Sequence, residues 1–575
     1  YQPFKGGFIG VDIFFVISGY LITSIILKEL VTTGSFSFKY FYERRIRRIL
    51  PVLIFVMLVS LPFAWIYLLP GSFIDFSKSI LYSIGFSSNF YFHYSGQQYG
   101  ATDGLFKPFL HTWSLSVEEQ YYIFFPIILL ITFKFFRKYL IHILILGFVI
   151  SLGLAEWTSR NYSSISFYFI HTRMWELLAG SILAYFEIIL GHRSKNKILN
   201  LILPSIGLLL IGHSILFFND KMFHPSFYTL SPIIGVGLII WFSNKDEIIT
   251  KILSTKLFVA IGLVSYSLYL WHYPIFAFVK INGFITGSVI GKLLLIPIIL
   301  ICSMASYYFI EKPFRNKKYQ FKILLIILLS FIAFLISFNF LILKENGYQK
   351  RMPEIFQVKL KEDKVNFYQK ENTQKIVLIG DSHAGSLEFN LNKEINNNHF
   401  SLFRFPTGMY LKDFNYINRK TKKINKNFIK NNIRIEKFLK DNSDLIVIIN
   451  QRWSMRFLET YFDNEEGYKM NSNSITPNYL EPNNIKTSFL YERKKYIKES
   501  LIAQIKNIIN QGHKLILVYP VPEMGFNVPK QLKNNYVKDK FFYTQTQLPI
   551  LTGSYEVYKK RNKLIFEILD SINNP

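Results

Sequence analysis

Ten apolar runs, each close to the length of a bilayer crossing, follow one another through the first 343 residues. They fall at 8–28, 50–69, 117–136, 139–156, 172–190, 198–218, 228–243, 257–279, 287–309 and 322–343. A spanning helix needs about 20 mostly apolar residues, because hydrocarbon offers no partner for an unpaired backbone N–H or C=O. The succession excludes a single soluble domain, and with half of the residues apolar and 17% aromatic the chain reads as a membrane bundle with an appendage. One further stretch, 78–92 (SILYSIGFSSNFYFH), is short and dotted with serines, and is expected to be an interfacial or re-entrant helix.

Charge sets the orientation of the bundle. If 78–92 does not cross, the connections carrying ERRIRR (43–48), KFFRK (134–138), HRSKNK (192–197), NKDE (244–247) with Lys251, and EKPFRNKK (311–318) share one side. The loops 70–116, 157–171, 219–227 and 280–286 lie on the other and are poorer in Lys and Arg. The positive-inside rule makes the first set cytoplasmic, so everything after about residue 344 is exported. The formal net charge of +28 is accounted for by these loops, by anionic lipid and by a Lys/Asn-rich C-terminal third; no periodic basic face emerges, and no nucleic-acid partner is expected. A single cysteine, Cys302, excludes a disulfide framework, and the scattered histidines lack ligand spacing, so no metal site is expected.

Residues 345–575 change character. Strand-like KIVLIG (375–380), DLIVIIN (444–450) and KLILVYP (514–520) alternate with helical segments such as KESLIAQIKNIINQG (498–512), whose closing glycine suits a helix C-terminus. Alternation of this kind predicts an open α/β sheet, with its chemistry at the carboxyl ends of the strands, where Ser382 falls. The expected organisation is a membrane domain over 1–344, a linker over 345–370 and an exported domain over 371–575.

Ionisable groups within apolar runs are costly and ask for a partner or a water-filled site. Asp12, Glu118, Glu119, Arg173, Glu176, His272, Glu311 and Lys312 are the instances here. Arg173 and Glu176 have the spacing of an intrahelical ion pair. Asp12 and Glu118 fit either a functional site or a helix N-terminal carboxylate facing interfacial water. Arg45 and Arg48, one helical turn apart, can turn two guanidinium forks to one phosphorylated ligand; a stop-transfer charge cluster has the same pattern.

Six motifs in this order, GGFIGVDIFFVISGYLI, FYERRIRRILP, HTWSLSVEEQYY, TRMWELLAG, SYSLYLWHYP and EKPFRN, closely resemble the acyltransferase-3 family of membrane acyltransferases over residues 1 to about 320. That resemblance implies acyl transfer, most simply of acetyl from acetyl-CoA in the cytoplasm, to extracytoplasmic sugars such as those of lipopolysaccharide or peptidoglycan, by a multi-pass protein of the bacterial inner membrane. It matches the family's donor-binding Arg-x-x-Arg to Arg45 and Arg48. The family's first span, with an Arg or Lys, ten intervening residues and then an essential histidine, is expected to precede Tyr1, the chain being a fragment.

GDSH at 380–383 resembles the first block of SGNH hydrolases, which implies a three-layer α/β domain with Ser382 as nucleophile. Gly380 permits the tight turn, and the helix opening at Ser382 could help hold an oxyanion. His383 is read as a structural member of the block. The resemblance implies an asparagine and a glycine as further oxyanion donors: Asn450 has the position, with loop capping as its other reading, and Gly408 is the glycine, although turns use glycines anyway. The fold's Asp-x-x-His block is expected beyond Pro575. The partners implied are the lipid bilayer, acyl-CoA and a surface polysaccharide or lipid-linked glycan. A glycan flippase and a polysaccharide deacetylase stay open as rival readings; the first leaves the arginine pair without a purpose, and the second leaves the donor-side motif so.

Overall fold

The computed structural model describes residues 5–97, 104–282, 291–352, 374–462, 476–524, 528, 532 and 554–572, less 192–193, 195, 220–221, 246, 292, 317–318, 396–399, 420–421, 477 and 484–489. The chain divides into two compact units, 1–358 and 359–575. Most of the expected linker, the start of the 287–309 run and parts of the basic loops at 192–197 and 311–318 lie outside the described residues.

In the first unit, among the described residues, eight helices are long and apolar enough to cross a membrane, and the chain is a multi-pass membrane protein. The runs expected at 172–190 and 228–243 fold as shorter helices, Met174–Ile188 of 15 residues and Leu230–Phe242 of 13. Helix α1 (Gly10–Thr33) ends at Gly34, which takes the left-handed conformation (φ 73°) and donates its N–H to the Leu30 carbonyl. Helix α2 (Phe38–Tyr67) starts at Ser37, whose hydroxyl accepts the N–H of Tyr40.

Lipid tails are as apolar as leucine, so helices in a bilayer associate through close packing and polar contacts. α1 and Met174–Ile188 use both. A methyl group on Gly19 would collide with the Leu177 carbonyl, and one on Gly180 with the Val16 carbonyl. Thr23 then donates to Ser181 at 2.8 Å across the same seam. Gly207 and Gly235 allow the equivalent approach between Lys197–Phe217 and Leu230–Phe242.

The stretch 78–92 is not one interfacial helix. It holds the end of α3 (Pro70–Ile84) and the start of α4 (Ser88–Gln97), separated by a turn in which Phe86 takes φ 48°. Ser79, Ser83 and Ser88 are buried, and two of them bond α5 (Thr112–Phe135): Ser83 meets Thr112 at 2.7 Å and Ser88 meets Ser116 at 2.8 Å. Serine content that reads as interfacial from the sequence is interhelical hydrogen bonding here.

The second unit is built on a parallel sheet of β1 (Gln374–Gly380), β2 (Phe400–Pro406), β4 (Ile446–Ile449) and β6 (Lys514–Leu517), in the order β2-β1-β4-β6. A separate antiparallel pair joins β3 (Phe414–Asn418) to β5 (Asn478–Pro482). Strand alternation sorts the core into two faces. Val377, Ile379, Val447 and Ile449 pack with Ile435, Ile497 and Ile565 of the helices Lys426–Lys440, Leu490–Asn510 and Tyr555–Asp570. Ile376, Leu378 and Ile448 pack with Ala384 and Ile395 of the helix Ser382–Ile395. The result is the expected helix–sheet–helix layering.

Candidate functional site

Each unit carries its own site. In the bundle, a cavity of about 480 Å³ is lined by residues of α1, α2, α5 and the helix Lys256–Asn282, and by Arg173 and His224. Arg45 and Arg48 both line it, and among the described residues neither forms an ion pair. Their neighbour Arg47 does structural work: Nε meets Glu43 Oε1 at 2.9 Å, and the other nitrogens donate to the Phe314 and Tyr319 carbonyls at 3.3 and 2.8 Å. Helical geometry causes the split, since positions 45 and 48 share a face that 47 does not.

Beside the arginine pair, Tyr122 packs its ring 4.6 Å from the Arg45 guanidinium carbon and donates to Glu118 Oε1 at 2.6 Å. Its hydroxyl also contacts Ser18 of α1. Glu118 therefore lines the cavity with its position fixed, while Glu119 is buried. Two imidazoles share the wall. The rings of His111 and His272 are 5.5 Å apart, and His111 stacks on Tyr273. His272 Nδ1 is 2.6 Å from the Tyr269 carbonyl. Neither His111 nitrogen makes a hydrogen bond of good geometry, the Pro108 carbonyl giving only a weak contact.

Asp12 is fully buried and does not face interfacial water. Its Oδ1 accepts from Arg173 Nη1 at 2.7 Å, and its Oδ2 is 2.8 Å from His224 Nε2. Arg173 also pairs with Glu176 at 2.8 Å, as the spacing predicts, and lies over the rings of Trp113 and Phe167. Arg173 Nη2 approaches His224 Nδ1 at 3.3 Å, and a guanidinium can only donate. His224 is then the neutral tautomer with its proton on Nε2, which donates to Asp12. Asp12 thus anchors two cavity-lining side chains without being part of the lining itself.

In the second unit, the sheet's carboxyl edge gathers the residues of the GDSH block and its partners. Gly380 closes β1 at φ 148°, and a methyl there would strike the Asn450 carbonyl, so only glycine fits. Ser382 follows, exposed, at the start of its helix. Asp381 pins the turn: Oδ1 accepts the His383 N–H and Oδ2 the Arg452 N–H, both at 3.0 Å. Asn450 Nδ2 donates to the His383 carbonyl at 3.1 Å, which commits one of its two amide hydrogens to the block, while its Oδ1 has no partner. The His383 main chain is likewise structural, but its ring Nδ1 has no partner. Burial holds that imidazole below its usual range, Asp381 opposing and Arg452 reinforcing. Gly408 follows β2, whose Pro406 is in register with Gly380. A methyl on Gly408 would press on Arg456 Nη2 at 3.3 Å, so its bareness makes room for a guanidinium.

The sequence reading missed His111, His224, Tyr122 and Ser18 in the bundle, and Gln451, Arg452 and Arg456 at the sheet edge. His111 opens HTWSLSVEE and carried a usable signal; His224 sits in a loop with none. Among the described residues no group of three or more His, Cys, Asp or Glu could hold a metal ion.

The profile of a family described as an acyltransferase domain matches residues 4–310, and that of an SGNH domain fused to such acyltransferase domains matches residues 354–575. A Staphylococcus aureus (strain COL) protein named as a candidate O-acetyltransferase is 38% identical over 333 residues, 55% of this chain and 54% of that protein. The O-acetyltransferase OatA of Staphylococcus aureus (strain NCTC 8325 / PS 47) is 34% identical over 336 residues, 56% of this chain and 54% of that protein. The chain spans about half the length of these relatives. No solved structure matches it.

Proposed function

We propose, from the premise that this chain belongs to the acyltransferase-3 family and carries the SGNH domain fused to it, that it moves an acyl group, most simply acetyl, from cytoplasmic acyl-CoA to a hydroxyl of a polysaccharide beyond the membrane. The observation that carries this reading is the arginine pair. Arg45 is half-buried and Arg48 exposed, and the two share one helix face turned to the cavity. Arg45 and Arg48 line the bundle cavity unmatched while Arg47, between them, is fully engaged. Two forks without a counter-ion suit the phosphates of a coenzyme A thioester. Glu118, His111 and His272 stand on the same wall, where a proton must leave or arrive as the acyl carbon changes partner.

The second unit takes the acyl group. The Ser382 hydroxyl attacks the acyl carbonyl, the carrier leaves with the proton, and the ester so formed is attacked by a sugar hydroxyl, which restores serine. Amides at the start of Ser382–Ile395 and the remaining Asn450 hydrogen support the oxyanion in both steps. The bias of Lys and Arg to one set of loops supports a reading with acyl-CoA inside and Ser382 outside, at the bacterial plasma membrane. The test is Ser382→Ala in cells expressing the chain: acetyl content of the surface glycan should fall to that of cells lacking the gene. Unchanged acetylation removes Ser382 from the pathway.

A further inference from the structure

Buried polar atoms without partners are rare, and each costs about 1–3 kcal/mol unless a ligand or water satisfies it. At the carboxyl edge of the sheet they concentrate in one short segment. Gln451 is 1% exposed, and neither its Oε1 nor its Nε2 has a partner. Arg452 and Arg456 each bury an unpartnered Nε, and among the described residues neither guanidinium forms an ion pair. The two arginines are one helical turn apart, the Arg456 N–H bonding the Arg452 carbonyl at 3.2 Å. The nearby acids are already used. Asp381 accepts two backbone N–H groups, and Glu523 pairs with Arg561 at 2.6 Å.

Both arginines belong to the edge that holds Ser382. The Arg452 backbone is tied to Asp381, the residue before Ser382. Arg456 lies over the Tyr416 ring, donates to the Tyr416 hydroxyl and occupies the space that Gly408 leaves open. An amide offers a donor and an acceptor together, the pair that adjacent sugar hydroxyls require. Guanidinium forks match the oxygens of a carboxylate or a phosphate.

We propose that Gln451, Arg452 and Arg456 form the acceptor subsite of this unit, and that the acceptor glycan carries an anionic group, a carboxylate or a phosphate, close to the hydroxyl that is acylated. The subsite rests on the reading of Ser382 as the acyl-bearing residue, because it is that proximity which makes the bound glycan an acceptor. Gln451 takes sugar hydroxyls, and Arg452 and Arg456 take the anion. Glycans without the anion lose the arginine contacts and bind weakly.

The test is calorimetric titration of the full chain in nanodiscs with three probes: a galacturonate tetramer, a glycerol phosphate oligomer and a neutral chito-oligosaccharide. At least one anionic probe should bind at least tenfold more tightly than the neutral one, and which one does so separates carboxylate from phosphate. Arg452→Gln and Arg456→Gln should each weaken that binding roughly tenfold, as loss of a charged hydrogen bond does. Arg452→Lys should recover part of it, which a folding defect would not. Equal affinity for all three probes, or anionic binding unaltered in the double Gln variant, overturns the subsite. Labelling of Ser382 by a fluorophosphonate reads the other premise independently: an unreactive serine with anionic binding intact sinks the acyl-bearing role and leaves the subsite standing.

Discussion

The bundle and the sheet domain handle buried charge in opposite ways. In the bundle, Asp12, Arg173, Glu176 and His224 close on one another at 2.7 to 3.3 Å, and Arg47 is tied down by Glu43 and two carbonyls. Arg45 and Arg48, which make no ion pair among the described residues, line the cavity. At the sheet edge, the backbone is closely tied while the side chains of Gln451, Arg452 and His383 keep unsatisfied atoms. Hydrocarbon gives an unpaired charge no water to fall back on, and the cluster around Asp12 and Arg173 is closed accordingly, although Glu176 Oε2 and Glu119 Oε1 keep no partner. On the proposed reading, both places are marked by the same sign: a charged or polar group that the fold supports but does not match.

The comparison breaks most visibly at Arg173. Arg173→Ala leaves Asp12 and Glu176 as uncompensated buried carboxyls, a defect worth about 3–5 kcal/mol. Thermal unfolding of the detergent-solubilised chain should show the bundle melting far earlier, whereas Arg45→Ala should leave its melting temperature unchanged. Gly380→Ala tests the rigid backbone of the sheet edge. It combines a disfavoured φ with a collision against the Asn450 carbonyl, and should cost roughly 2–4 kcal/mol. Limited proteolysis should then cut the C-terminal unit while the bundle stays intact.

The smallest effect is a pH dependence. Free in an unfolded chain, the His383 ring takes a proton near pH 6.5, and burial keeps it neutral to lower pH in the folded unit. The unfolded state therefore binds more protons in the window just below about pH 6.5. This group's effect is nil above that value, and stability declines as the pH falls through the window. Unfolding of the C-terminal unit followed from pH 7.5 to 5.5 should show the decline, and His383→Gln should flatten it.

The layered sheet was legible because strand runs at 375–380, 444–450 and 514–520 are apolar, short and bounded by turn residues. Those runs became β1, longer by one residue, and β4 and β6, whose ends are trimmed by up to three residues. The Arg45 and Arg48 pairing was legible for the same reason, since a helix fixes which side chains share a face. What sequence withheld is contact between distant elements. Nothing local joins Asp12 to Arg173, 161 positions away, or to His224, 212 away. Those bonds exist because Gly19 and Gly180 let two helices approach. The 78–92 stretch misled through the same blindness: its serines look solvent-facing until α5 supplies Thr112 and Ser116.

The central claim is that two unmatched guanidiniums in the bundle hold the acyl donor. Equilibrium binding of radiolabelled acetyl-CoA to the chain in nanodiscs tests it directly, comparing the chain with Arg45→Ala, Arg48→Ala and Arg44→Ala, the last removing an exposed arginine 4.0 Å from Glu29. The account predicts saturable binding weakened roughly tenfold or more by each of the first two substitutions and unaffected by the third. Binding that survives loss of both cavity arginines, or that is absent from the unsubstituted chain, would contradict it.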